Sequence, residues 1–196
     1  LDALELLEYR GYDSAGIAVA DTDAKQTKVY KCAGRVKDLR TICESEKIIT
    51  ECGIGHTRWA THGGVNDTNA HPHQVGKVTL VHNGIIENYR ELIADYELES
   101  VLKSETDSEV VAALLNKFYT GDPDEAIKKT VSKLKGTFAL VILFEDHQGE
   151  IYSTRNVSPI VATFCKEGAM LASDLTALCR FTNRYFVVPE YHILKL

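Results

Sequence analysis

The chain has 196 residues, enough for one sizeable core, and no Pro-, Gly- or Ser-rich linker divides it, so a single domain over 1–196 is expected. Hydrophobic residues at 44% and charged residues at 26% suit a soluble globular protein, and no apolar run approaches the length of a bilayer crossing, which argues against a membrane protein. A net charge of -6 without any Lys/Arg cluster argues against nucleic acid as the main partner.

Five cysteines, Cys32, Cys43, Cys52, Cys165 and Cys179, form no C-x-x-C pair and follow no secretory signal, the pattern of buried thiols in a cytoplasmic protein. None adjoins an obvious base in sequence, so none stands out as a nucleophile. Helical apolar spacing runs through 1–8 from the first residue, with no Met and no N-cap ahead of it, as expected of a sequence that starts inside a helix.

That helix runs into the Gly-punctuated turn at 9–16, YRGYDSAG. It fails the G-x-S-x-G pattern, because Gly11 lies three residues before Ser14, so a serine hydrolase is not expected. A buried strand at 17–20, an alternating strand at 28–32 and helical spacing over 36–49 follow. The apolar lead-in Gly53-Ile54-Gly55 then opens a loop, HTRWATHGG at 56–64, that gathers a guanidinium, an indole, a hydroxyl and imidazoles before paired glycines. Arg58 can hold a carboxylate through two parallel hydrogen bonds, with Thr61 and His62 adding neutral ones, a composition suited to a small zwitterion. A surface loop with a chance Arg and Trp59 fits the composition equally well.

A strand at 77–81 delivers His82-Asn83-Gly84 at its end. Asn83-Gly84 reads either as a tight turn, the commoner outcome, or as a pair of amide donors facing a pocket. A helix at 87–96 precedes T-x-x-E at 106–109, a capping box heading the apolar run 110–115. Asp107, in its first turn, either complements the helix dipole, the simpler account, or pairs with a ligand ammonium. A further helix spans 122–134. Short strands are then expected at 136–144, 150–155, 160–164, 169–172, 185–188 and 192–196. Most helices fall in the first half and most strands in the second, which predicts a layered α+β domain with two stacked sheets and helices outside.

Five of seven histidines, His56, His62, His71, His73 and His82, cluster in sequence, yet their spacing matches no zinc template and no H-E-x-x-H is present. No metal site is expected. Phosphate-binding glycine motifs are absent too.

The turn at 9–16, the loop at 56–63, NAHPH at 69–73, VHNGIIEN at 81–88, SETD at 104–107 and ASD at 172–174 together resemble, in order, the glutaminase domains of glutamine:fructose-6-phosphate amidotransferases. The resemblance spans nearly the whole chain. It implies an N-terminal nucleophile hydrolase fold, a four-layer αββα sandwich. It also implies that Arg58 binds the α-carboxylate of L-glutamine or L-glutamate, with Thr61 and His62 beside it, and that Asp107 takes the α-ammonium. Asn83 and the Gly84 N–H would form the oxyanion hole, Trp59 would shield the site, and Arg10 would help position the chain terminus. The reaction implied is glutamine hydrolysis without metal or organic cofactor, the ammonia passing to fructose 6-phosphate held by sugar-isomerase domains of the same enzyme. That full-length enzyme is expected to be a homodimer.

The family's nucleophile is an N-terminal cysteine whose free α-amine is its base. Leu1 stands first here, so the cysteine and first strand are expected upstream, and residues 1–196 alone are expected to bind glutamine without hydrolysing it. The alternative is a non-catalytic glutamine-binding regulatory module that has lost its nucleophile.

Overall fold

The computed structural model describes residues 1–21, 24–60, 62–166 and 168–196. β1 (Ser14–Asp21) runs antiparallel to both β2 (Gln26–Ala33) and β3 (Gly53–Arg58), in the order β2-β1-β3. Successive strand residues face opposite ways, so this sheet has two apolar faces to cover. Ala15, Ile17, Tyr30 and Cys32 pack outward on Leu4 of α1 (Asp2–Glu5) and on Val36, Leu39 and Cys43 of α2 (Val36–Ser45). Ala18, Ala20 and Ile54 pack inward, on Val81 and Leu143 of a second sheet.

That second sheet has five strands in the order β11-β7-β6-β5-β4. They are β4 (His73–Val75), β5 (Val78–Ile86), β6 (Gly136–Phe144), β7 (Tyr152–Asn156) and β11 (Leu194–Lys195). Its far face, with Leu80, Ile86, Phe138, Leu140 and Ile142, is covered by α3 (Tyr89–Tyr96), α4 (Asp107–Phe118) and α5 (Pro123–Val131) through Leu92, Leu114, Leu115 and Ile127. A third sheet, β10 (Phe186–Val187), β8 (Val161–Cys165) and β9 (Gly168–Ala172) in that order, meets β6 through Ile160, Ala162, Val188 and Ala139.

The layers are therefore helix, sheet, sheet, helix, the αββα sandwich expected. One β layer is in two pieces, however, where two sheets were expected in all, and β3 and β9 are edge strands of those pieces. Among the described residues no helix is long and apolar enough to cross a membrane.

Helix ends depart from the expected limits for local reasons. The expected helix over 1–8 resolves into α1 and a 3-10 turn at Glu8–Arg10. α2 stops at Ser45 rather than 49, ahead of Lys47 at φ +51°. α3 begins at Tyr89, after Asn88 has turned its side chain to the Lys133 carbonyl and the Lys135 N–H. α5 starts where expected, with Asp122 capping the Glu125 N–H at 3.1 Å and Pro123 in its first turn, and ends at Val131 rather than 134. Only half of the capping box of α4 forms. Thr106 Oγ1 accepts from the Glu109 N–H at 3.2 Å, but the Glu109 carboxylate accepts from the Lys103 and Ser104 N–H groups instead of closing back on Thr106.

Candidate functional site

Asn83-Gly84 is not a turn. β5 continues through it to Ile86, with Asn83 opposite Ala139 and Gly84 opposite Phe138 on β6. Gly84 sits at φ +137°, and a Cβ there would lie 2.1 Å from the Thr137 carbonyl oxygen, so only glycine lets the two strands meet at this kink. The Glu87 N–H donates to the Lys135 carbonyl, which sets odd positions of β5 against β6 and turns the backbone groups of even positions to the other edge. β4 covers that edge only opposite 78–80. Beyond it the Ile86 N–H donates to Asp107 Oδ2 at 2.8 Å, so Gly84 N–H and the Asp107 carboxylate share a stretch of strand edge that β4 does not cover.

Asp107 is the first residue of α4, buried, and its second carboxylate oxygen has no hydrogen-bond partner among the described residues. Both residues line a cavity of about 620 Å³ together with Arg10, His56, Arg58, Trp59, His62 and His82. The edge strands β3 and β9 line it too.

Arg58 ends β3 rather than standing in a loop. Its guanidinium is buried against the chain that follows, with Nη2 donating to the His62 and Gly63 carbonyls and Nη1 to that of Gly64 at 3.3 Å. These contacts leave other guanidinium N–H groups for a ligand, since Arg carries five. Burial lowers its affinity for a proton, against the fields of Asp13 and Asp107, and a guanidinium stays charged regardless. His62 lines the cavity with its ring edge-on to Tyr89 at 5.6 Å. Trp59 is 62% exposed at the mouth, edge-on to Tyr12 at 5.8 Å. Arg10 lies at the rim, donating to the Ser173 carbonyl at 3.2 Å and facing Asp174 at 3.6 Å. Thr61 lies outside the described residues.

Three residues that shape the site had no role in the reading of the sequence. Asp13 Oδ2 takes the Ala60 N–H at 2.5 Å while its backbone N–H donates to the Arg58 carbonyl, fastening the start of the loop. Glu105 takes Asn69 Nδ2 at 3.1 Å and the Gly64 N–H at 3.4 Å, fastening its end. His56 Nε2 lies 2.9 Å from Asn83 Oδ1, joining β3 to β5 across the two sheets. All three stand inside the motifs that carry the resemblance, but only the meeting of distant segments shows what they touch.

The histidine cluster is real in space. Among the described residues no three His, Cys, Asp or Glu side chains are arranged to hold an ion. His71 stacks on His56 at 4.2 Å and meets His73 edge-on at 4.7 Å, His73 reaches Thr106 Oγ1 at 3.0 Å, and His82 Nδ1 reaches Ser108 Oγ at 2.9 Å. Burial keeps all four rings neutral, holding His56 down to about 4 and His73 to about 2. Of the five cysteines expected to be buried, only Cys43 and Cys52 are, and Cys179 is exposed; Cys52 lies on the cavity lining, where burial among Ala18, Ala20 and Val81 raises the pKa of its thiol.

Two stacked β layers between helical layers, with a cavity opening at strand edges, are the architecture of the N-terminal nucleophile hydrolases. The solved glutamine phosphoribosylpyrophosphate amidotransferase of B. subtilis superposes with a TM-score of 0.83 over 98% of this chain and 43% of its own, at 24% identity. Residues 56–180 match the family model of the glutamine amidotransferase domain, and the chain belongs to that family. Similar curated relatives are the glutamine–fructose-6-phosphate aminotransferases (isomerizing) of Bacillus spizizenii, 45% identical over 94% of this chain and 31% of the relative, and of Thermus thermophilus, 43% identical over 100% and 32%. The chain thus spans about a third of the length of the curated relatives it matches.

Proposed function

We propose that this chain is the glutaminase part of a glutamine–fructose-6-phosphate aminotransferase, releasing ammonia from L-glutamine for sugar-isomerase domains of the same polypeptide. The observation that carries this is the shared edge of β5. It sets the Asn83 carboxamide and the Gly84 N–H, two donors for a tetrahedral oxyanion, next to the half-satisfied carboxylate of Asp107 and within one cavity with Arg58. In this reading Asp107 holds the α-ammonium, Arg58 the α-carboxylate with His62 beside it, and Trp59 covers the mouth. Thr61 is assigned to the same loop by motif alone. Arg10, held by Ser173 and Asp174, positions the nucleophile's chain end.

The attacking thiol, by the family motif, is that of an N-terminal cysteine whose α-amine accepts its proton. It adds to the side-chain carboxamide carbon, and the C–N bond breaks as the proton passes to the departing ammonia. Water then cleaves the thioester to glutamate. Cys52 does not fit that role, since its thiol is held protonated among apolar side chains and its backbone nitrogen is acylated. The edges of β3 and β9 on the cavity wall, unpaired among the described residues, support the seating of one further strand that carries the nucleophile. Five unpaired cysteines support a cytoplasmic setting, and assembly as a homodimer belongs to the full-length enzyme.

Glutamate release from glutamine by the natural full-length chain tests the reading. Asn83→Ala is expected to lower kcat about 100-fold or more with little change in KM. Asp107→Asn, which removes the charge facing the ammonium, is expected to raise KM about 10- to 100-fold. A wild-type chain that binds glutamate without turning glutamine over would support a binding module instead.

A further inference from the structure

The oxyanion-hole reading depends on which way the Asn83 carboxamide is turned. With its N–H₂ toward the cavity it stabilises a developing negative charge; with its oxygen there it repels one. A carboxamide has no intrinsic preference, so a neighbour must decide. That neighbour is His56, whose Nε2 lies 2.9 Å from Oδ1.

His56 is well placed to hold one orientation. It sits within β3, opposite Gly16 of β1, and Gly16 itself has no room for a side chain, since a Cβ would lie 2.1 Å from the His71 carbonyl. The His56 ring is buried and stacked on His71 at 4.2 Å with 30° between the planes, so it cannot swing. Burial also keeps it neutral, with a single N–H to place. Nδ1 is buried with no hydrogen-bond partner among the described residues. A proton on Nδ1 would be a buried donor left unmade and would leave two acceptors, Nε2 and Oδ1, in contact. A proton on Nε2 satisfies both atoms of the pair.

We propose that His56 is a positioning residue for the glutaminase reaction: its Nε2–H donates to Asn83 Oδ1, locking the carboxamide so that Nδ2 faces the cavity. The inference rests on the proposed glutaminase function for its kinetic consequence, while the orientation of Asn83 stands apart from it. It assigns His56 a role without contact to the substrate, acting from the opposite sheet.

Two measurements on the natural full-length chain decide it. Nitrogen NMR of histidine-labelled protein near neutral pH is expected to show the His56 ring protonated at Nε2 and bare at Nδ1; the opposite tautomer overturns the proposal whether or not the protein is a glutaminase. His56→Ala is expected to lower kcat for glutamine about 100-fold, the loss of one oriented donor, while KM and glutamate binding stay within about two-fold because Arg58 and Asp107 are untouched. His56→Gln, whose amide N–H can donate along the same line, is expected to recover most of that loss. Wild-type kcat in His56→Ala, a loss confined to KM, or a His56→Gln no faster than His56→Ala despite intact glutamate binding would each overturn it. A wild-type chain without glutamine hydrolysis would remove the glutaminase reading, and the tautomer would still decide how Asn83 is held.

Discussion

Gly84 shows how much a site can depend on a missing atom. Its φ of +137° lies where L side chains rarely go, and the Thr137 carbonyl occupies the place of a Cβ, 2.1 Å away. Gly84→Ala must therefore either push β5 off β6 or rotate the peptide that carries the Gly84 N–H. Strain and displacement of this kind cost about 2–4 kcal/mol. The urea midpoint of Gly84→Ala is expected to fall accordingly, and glutaminase activity to fall with it, since the rotated peptide no longer aims its N–H at the cavity. A variant with the wild-type midpoint would show that the strand relaxes and that the kink is not needed for folding.

At the scale of elements, α4 connects the site to the core. Its residues 107–115 are all buried, so it has no solvated face to tolerate a shift. Thr106 fixes where it starts, accepting from the Glu109 N–H and sharing a hydrogen bond with His73 Nε2. Thr106→Ala removes the cap and leaves a buried imidazole nitrogen unmatched, a loss of about 2 kcal/mol from the two effects together. Thr106→Ser, which keeps the hydroxyl, should lose under about 0.5 kcal/mol; denaturant unfolding of the pair separates the hydroxyl from the methyl group. The start of α4 was legible in the sequence because capping is local chemistry. So were α5, with Asp122-Pro123 at its head, and β6, an unbroken apolar run. What could not be read locally was set by distant partners. Asn83-Gly84 has the composition of a turn, and only nine paired residues on β6 make it the middle of a strand. Arg58 has the composition of a loop residue, and only Ser14 across from it makes it the end of β3. The division of one β layer into two sheets likewise depends on which edges meet, and residue pattern carries no record of that.

For the whole molecule, four buried histidines lie where the sheets face each other and α4 begins, which couples stability to acid. His56 comes from β3, His71 and His73 from the approach to β4 and its first residue, and His82 from β5. Burial lowers each below its ordinary value of 6.5, with His56 at about 4 and His73 at about 2. The folded state thus holds these rings neutral while the unfolded chain protonates them. Their contribution is fully present above pH 6.5 and is lost as pH falls through 6.5 toward the folded values. Each ring that stays neutral in the fold contributes a slope of about 1.4 kcal/mol per pH unit in that window, and His56 alone amounts to about 3 kcal/mol by its lower end. The free energy of unfolding, from urea titrations between about pH 7 and about pH 5, is expected to fall with a slope of several proton equivalents. His71→Gln should reduce that slope by one proton, because the substituted ring no longer titrates in the unfolded chain. A free energy that stays flat over this range would mean that the rings are solvated in the native protein, and the tight seam between the sheets would have to be abandoned with them.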